Sequence, residues 1–234
     1  MSAADRTRPS PRLVYRLLRR RFGPAGWWPG DSPFEVCVGA ILVQNTSWRN
    51  VEKALDVLRG RGLLSFDALD RLDADALAPL VRSSGVYRVK ARRLRAFLDF
   101  LGERFSGRVE AMRFIPVGSL REALVSVHGI GRETADTIAL YATGTPLFVV
   151  DAYTRRVFAR LGLLRGDEPY DEAQAFFHCR LPADAALFND FHAQLVRLGK
   201  DFCRKNPRCG NCPLERSCAK RGVPRRRLSP RRSR

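Results

Sequence analysis

The sequence predicts an all-α protein, because apolar residues recur at helical spacing and frequent glycine and proline residues divide the chain into short helices. No segment shows the alternating pattern of a strand ladder. At 234 residues the chain is long enough for one large core or two small ones. Two predicted apolar helix faces consist of Val51, Ala54, Leu55 and Leu58, and of Leu94, Phe97, Leu98 and Leu101.

The formal charge of +18 points to a polyanionic partner. Nucleic acid is favoured over a membrane, because no run approaches the roughly 18 to 20 apolar residues that cross a bilayer. The N-terminal stretch lacks the apolar core of a secretion signal, so we expect a cytoplasmic, nucleoid-associated protein without disulfides. Residues 221–234 carry seven arginines and are expected to form a disordered tail, which either attracts DNA or is only a solvated end.

Two predicted amphipathic helices are separated by a tight turn, His128-Gly129-Ile130-Gly131. Glycines without Cβ atoms let a phosphate approach the amides at the start of the second helix, and Arg132 stands where it could reinforce that contact. The apolar side chain of Ile130 is expected to be buried and to anchor the turn against the second helix. An ordinary helix end is the alternative, but the flanking apolar faces favour a phosphate-binding hairpin.

Asp151 follows an apolar lead-in and precedes a third amphipathic helix, which makes it a candidate N-cap. Taken alone, the position predicts only capping. The order of elements suggests more, because the carboxylate comes after a phosphate-binding hairpin and its second helix. Such a carboxylate could activate water or stabilise a sugar oxocarbenium ion as a base departs.

Six cysteines fall into two groups. Cys37 and Cys179 lie in apolar helical sequence and are predicted to be buried thiols. The others crowd near the C-terminus with the spacing C-x5-C-x2-C-x5-C, which predicts a metal site or a cluster, and zinc and 4Fe-4S both accept four thiolates. Its ligands would be Cys203, Cys209, Cys212 and Cys218.

Together these motifs resemble the endonuclease III family of helix-hairpin-helix DNA glycosylases, from about Phe34 to Cys218. The matching segments are GAILVQNT at 39–46, SGVYRVKA at 84–91, LVSVHGIGRETAD at 124–136, FVVDAYTRRV at 148–157 and the four cysteines. The resemblance implies two helical lobes: a six-helix barrel with the hairpin at 25–145, and a lobe from 1–24 and 146–220. It favours a 4Fe-4S cluster over zinc in the second lobe.

The resemblance also implies that the protein, expected to be a monomer, kinks damaged double-stranded DNA and flips the target nucleotide into a pocket. Gln44 would fill the gap in the duplex, and Val86 and Tyr87 would wedge the opposite strand. The alternatives are structural: Gln44 as the polar end of a core helix, and Tyr87 as a core aromatic.

One residue departs from the pattern of the bifunctional members, where a lysine after the hairpin attacks the sugar. That position is Glu133, which cannot form a Schiff base. Glu133 either positions water or the base, or only suits the dipole at a helix start. The pattern GRETAD followed by VVDAY is also similar to monofunctional alkylbase glycosylases.

The sequence therefore predicts a DNA glycosylase that removes a damaged or mispaired base, with Asp151 as catalytic carboxylate and without strand cleavage. A bifunctional glycosylase and abasic-site lyase is one alternative. A catalytically weak protein that binds damaged DNA is the other.

Overall fold

The computed structural model describes residues 8–26 and 30–224. Over these residues the chain forms α-helices and short 3₁₀ turns, and no strand occurs among them, so the predicted all-α class is confirmed. No helix in this part of the chain has the length and apolar character needed to cross a bilayer. Most of the predicted basic tail, residues 225–234, lies outside the described residues.

The chain divides into two compact units. The central unit is Trp28–Leu147, and the terminal unit combines Met1–Trp27 with Phe148–Arg234. The assignment of a barrel lobe to 25–145 and of a cluster lobe to 1–24 and 146–220 stays a prediction.

The terminal unit contains α1 (Pro11–Phe22), α9 (Ala152–Leu161), α10 (Tyr170–His178) and α11 (Ala185–Asp201). The helices of the central unit are α2 (Pro33–Leu42), α3 (Trp48–Gly60), α4 (Phe66–Asp70), α5 (Ala74–Leu80), α6 (Tyr87–Phe105), α7 (Val117–Val125) and α8 (Arg132–Thr143).

Local sequence explains many of the helix starts. A side-chain oxygen accepts a hydrogen bond from a first-turn amide, which satisfies a donor that has no partner within the helix. The residues that cap helices in this way are Ser10, Ser32, Ser65, Asp73, Asp151 and Asp184.

The core of the central unit is built around α2, whose residues 34–42 are all buried. Helix α8 packs against α2, and α5 packs against α6. The two predicted apolar faces, on α3 and α6, are buried as expected. Glu35 lies in this apolar helix with 4% of its surface exposed, and its carboxylate accepts a hydrogen bond from Arg59 at 2.6 Å, as a buried charge requires.

Phenylalanines dominate the core of the terminal unit. The rings of Phe148 and Phe177 stack with centroids 4.0 Å apart, and Phe158 and Phe191 pack edge-on around them. Helix α9 approaches α11 at Gly199, where a Cβ atom would lie 2.3 Å from the Tyr153 ring. Glycine at this position therefore allows the close contact between the two helices.

The two isolated cysteines differ in environment. Cys37 is completely buried in α2, as predicted. Cys179 was also predicted to be buried, and this prediction is wrong. Cys179 is exposed, because it lies just after the last residue of α10.

Candidate active site

The predicted helix-hairpin-helix forms at residues 126–131, between α7 and α8. Gly129 has a φ of +80°, which favours glycine, and a Cβ atom there would lie 2.3 Å from Cγ of Arg93. Ile130 is 3% exposed, and its amide donates to the Val127 carbonyl at 3.0 Å. The turn is therefore held by its own backbone, by a buried isoleucine and by the stem of an arginine.

The first turn of α8 is open to an anion. Gly131 is the N-cap residue, and no side chain caps the helix there. Arg132 and Glu133 are both exposed in this first turn. Amides at a helix start carry partial positive charge and bind phosphate oxygens readily. The geometry thus suits the predicted phosphate contact.

The two hairpin glycines provide a matched pair of substitutions. Gly129→Ala forces an unfavourable φ and a collision with Arg93, so we expect the free energy of unfolding to fall by about 1 to 3 kcal/mol. Gly131 has no atom within 4 Å of an added Cβ and an ordinary φ of −88°, so Gly131→Ala should cost less than about 1 kcal/mol. Urea unfolding of both variants measures the difference; equal losses would contradict this view of the turn.

Gln44 follows α2 and lies against the hairpin. Its Nε2 donates to the Gly129 carbonyl and to Oγ1 of Thr134, both at 3.0 Å. Its Oε1 accepts a hydrogen bond from Nη1 of Arg93. The next residue, Asn45, is exposed and has a φ of 54°. The structure therefore places Gln44 in a polar network just after α2, next to the exposed Asn45.

A buried lysine joins two segments that carry predicted DNA-contacting residues. Lys90 is 1% exposed, and its Nζ donates to the carbonyls of Leu42, at 2.7 Å, and of Ser84. Burial, together with the charge of Arg93, lowers the pKa of Lys90 to about 8. The lysine thus ties the end of α2, just before Gln44, to the segment that precedes Val86.

Val86 and Tyr87 differ in exposure. Val86 is 66% exposed and has a φ of 33°, an unfavourable backbone conformation for a β-branched residue that costs about 1 to 3 kcal/mol. Tyr87 begins α6 and packs partly against the core. The protruding apolar side chain at this turn is therefore Val86.

Hydrogen bonds from α10 fix the approach to Asp151. The Phe148 amide donates to Nε2 of His178 at 3.0 Å, and the Phe148 carbonyl accepts from Gln174 at 2.8 Å. The Val150 amide donates to the Tyr170 hydroxyl at 3.3 Å. Side chains of α10 thus hold the predicted apolar lead-in to Asp151 in place.

Asp151 caps α9, as predicted, with Oδ1 accepting from the Thr154 amide at 2.7 Å. Its Oδ2 lies 3.5 Å from Nε2 of His192 on α11. Both side chains are largely buried. Burial raises the pKa of Asp151, but the hydrogen bond and charge of His192 and the Thr154 amide lower it more, so its pKa lies below the ordinary value. The site therefore holds an ionised carboxylate with one oxygen beside a histidine.

The four clustered cysteines line one cavity of about 30 Å³ in the terminal unit. Arg160 of α9 binds both ends of their loop: its Nη1 donates to Sγ of Cys203 at 3.3 Å, and Sγ of Cys218 donates to its carbonyl at 3.4 Å. Within residues 8–26 and 30–224, no three cysteine, histidine or carboxylate side chains meet closely enough to hold a single metal ion. The thiols instead surround a small space.

Three residues of these sites were not predicted from the sequence: Arg93, Lys90 and His192. The sequence contains an indication that Lys90 is unusual, because this charged residue shares the apolar face of α6 with Leu94 and Phe97. His192 lies among apolar residues of α11 in the same way. The sequence does not distinguish Arg93 from other arginines, since arginines are abundant throughout the chain.

Most of the chain is similar to known proteins. The sequence model of the HhH-GPD superfamily of base excision DNA repair proteins matches residues 38–182. A protein of Methanocaldococcus jannaschii that is named as a DNA repair glycosylase is 42% identical over 207 residues, which are 88% of this chain and 94% of the relative.

Two solved structures are also similar. A 3-methyladenine DNA glycosylase of H. pylori bound to 1,N6-ethenoadenine is 28% identical with a TM-score of 0.71, over 82% of this chain and 98% of that one. A non-covalent complex of endonuclease III with DNA is 25% identical with a TM-score of 0.77, over 89% of this chain and 94% of that one.

Proposed function

The chain belongs to the HhH-GPD superfamily of base excision DNA repair proteins, and we propose that it is a monofunctional member, which releases a damaged base and leaves the strand uncut. DNA glycosylase activity and the resemblance to endonuclease III are confirmed by these matches. The proposed absence of lyase activity is supported by one observation: Glu133 stands in the first turn of α8, which the resemblance to the bifunctional members gives as the position of the nucleophilic lysine.

Glutamate has no amine and cannot form the Schiff base through which a lysine cleaves the sugar. Lys90 does not replace it, because its Nζ is buried and donates to two backbone carbonyls. The exposed carboxylate of Glu133 stabilises the start of α8 through the helix dipole, and we propose orientation of water or the base as its second role.

Asp151 supplies the catalytic carboxylate in this proposal. As the base leaves, positive charge develops on the sugar, and an ionised carboxylate stabilises it or accepts a proton from the attacking water. Its lowered pKa keeps Asp151 ionised at neutral pH, and the Thr154 amide holds one of its oxygens in place. His192 restrains the other oxygen.

The pairing with His192 predicts a change in pH dependence. In His192→Leu, burial of Asp151 still raises its pKa while the opposing effect of His192 is gone, so the acidic limb of base release should move to higher pH. His192→Gln keeps a donor without the charge and should show a smaller shift. Single-turnover rates of base release between about pH 4 and 8 measure the position of the acidic limb. If the acidic limbs of His192→Leu and wild type coincided, the pairing of His192 with Asp151 would be contradicted.

We propose that duplex DNA is bound through the hairpin, with Gly129, Ile130 and Gly131 shaping the turn and Arg132 reinforcing the phosphate contact. Gln44 enters the gap left by the flipped nucleotide, and Val86 with Tyr87 wedges the opposite strand. The exposure and strained backbone of Val86 support a wedge, because an apolar side chain held in solvent gains by entering a base stack. The cytoplasmic, nucleoid-associated location and the monomeric state stay predictions.

Cys203, Cys209, Cys212 and Cys218 would hold a 4Fe-4S cluster. The donor set fits a cluster, since four thiols line one cavity and thiolates are the usual ligands of a 4Fe-4S cluster. When bound, the cluster would cross-link the loop and bring one-electron redox chemistry. Arg160 donates to one of the four sulfurs and to the loop carbonyls of Arg204 and Lys205, so it would orient the ligands. Zinc is the alternative occupant.

An alkylated base is the substrate class we propose, because the similar H. pylori enzyme is a 3-methyladenine glycosylase. The test is a panel of duplexes that carry 3-methyladenine, 1,N6-ethenoadenine, an oxidised pyrimidine, uracil or a G·T mismatch. We expect base release to be fastest for an alkylated purine. Faster release of the oxidised pyrimidine would contradict the substrate class, and no release from any duplex would contradict the proposed activity.

A further inference from the structure

Gln44 is held in one orientation by three neighbours. An amide side chain has one acceptor oxygen and one donor nitrogen. The oxygen faces the guanidinium of Arg93, and the nitrogen faces the Gly129 carbonyl and Oγ1 of Thr134. A flipped amide would direct its nitrogen at a cation and its oxygen at a carbonyl. The network therefore fixes both the position of Gln44 and the direction of its amide.

Arg93 contacts the hairpin as well as Gln44. Its Cγ, Cδ and Nε lie so close to Gly129 that an added Cβ there would meet them at 2.3 to 2.6 Å. Arg93 belongs to α6, Gln44 follows α2, and Gly129 joins α7 to α8. One side chain thus connects three segments of the central unit that have no covalent neighbour in common.

Stability alone gives little reason for an arginine at this position. The Nε atom of Arg93 is buried and has no hydrogen-bond partner among the described residues. A buried donor without an acceptor destabilises the folded state, because it has lost its hydrogen bonds to water. The charge of Arg93 also lies near the buried Lys90, whose pKa it helps to lower. The side chain is therefore retained at an energetic cost.

We propose that Arg93 is a positioning residue that joins Gln44 to the hairpin, so that docking of the hairpin on the phosphate backbone sets where Gln44 enters the duplex. The inference rests on the proposed function, in which Gln44 fills the gap left by the flipped nucleotide. Arg93 acts through Gln44 and the hairpin turn and makes no phosphate contact of its own. Without it, the hairpin still binds DNA but the Gln44 amide can rotate.

Arg93→Met tests this proposal, because methionine keeps an unbranched stem against Gly129 and removes the donor. Arg92→Met is the matched control. Arg92 is an exposed neighbour on the same helix, and its substitution by methionine removes the same positive charge. Each variant is first checked for an unchanged thermal unfolding curve. Arg93→Lys, which keeps a cationic donor, is the second variant, and it covers the case in which Arg93→Met unfolds.

We expect Arg93→Met to slow single-turnover base release about tenfold and to weaken the fluorescence rise of 2-aminopurine placed beside the lesion, which reports unstacking. Its affinity for undamaged duplex and the dependence of that affinity on salt should match wild type. A direct phosphate contact would instead reduce the salt slope by about one and weaken binding to all duplexes. Arg92→Met should release base at the wild-type rate, and Arg93→Lys should recover most of it.

A double-mutant cycle shows whether Arg93 works through Gln44. If it does, Gln44→Met combined with Arg93→Met is no slower than Gln44→Met alone, because the partner has already gone. Additive losses, a reduced salt slope or an unchanged rate in Arg93→Met would overturn the proposal. If wild type releases no base at all, the proposed function fails separately, and the 2-aminopurine signal and salt slope still decide the role of Arg93.

Discussion

Asp151→Asn should lower the single-turnover rate of base release by at least about 10²-fold while affinity for the duplex changes little. Loss of a general base or charge-stabilising carboxylate typically costs about 10² to 10⁴ in rate. Asparagine is nearly isosteric, and its side-chain oxygen can still accept the hydrogen bond from the Thr154 amide that caps α9. The substitution therefore removes the negative charge and retains the fold.

Asp184→Asn is the matched control for Asp151→Asn. Asp184 also caps a helix, α11, where it accepts from the amides of Ala186 and Leu187. It has no role in the proposed chemistry, so its variant should release base at the wild-type rate. A wild-type rate in Asp151→Asn would remove the carboxylate from the mechanism. An equal loss in both variants would attribute the effect to the lost negative charge at a helix start and not to catalysis.

If the four thiols hold the proposed 4Fe-4S cluster, Cys212→Ser should lose the bound iron and much of the protein's stability. Removing one of four ligands weakens the cluster, and in small metal sites the binding free energy is folding free energy. We expect the visible absorbance and the bound iron to be lost, and the thermal midpoint to fall by more than about 10 °C. The fall should concern the terminal unit, where the cysteine loop contacts α9 through Arg160.

Cys179→Ser provides the control for Cys212→Ser, because Cys179 is an exposed cysteine outside the set of four. Its variant should keep wild-type colour, iron content and thermal midpoint. A colourless wild-type protein with one equivalent of zinc would overturn the cluster assignment. An unchanged midpoint in Cys212→Ser would show that the four thiols do not stabilise the fold through a shared group.

Much of the local architecture could be predicted because its causes are local. The cap at Asp151, the turn at Gly129 and the apolar face of α6 each depend on residues within one or two helical turns. Helical spacing and turn-forming residues can be recognised in such short segments of sequence. The all-helical class followed from the same patterns.

The contacts that complete the sites could not be predicted in this way. His192 reaches Asp151 only because α11 packs on α9 through Gly199, and Arg93 reaches Gln44 only because α6 packs beside the end of α2. Such pairs are distant in sequence, and no periodic pattern encodes which helix faces meet. The burial of Cys179 was predicted wrongly for a related reason: apolar neighbours do not show that a helix has already ended.

The central claim, base removal without strand cleavage, is tested most directly by scoring base loss and nicking separately on the best duplex of the panel, with sodium borohydride trapping in parallel. The account predicts released base, a strand that breaks only after hot alkali, and no covalent protein–DNA adduct, because Glu133 cannot form a Schiff base. Nicking that keeps pace with base loss, together with a borohydride-trapped adduct, would contradict it.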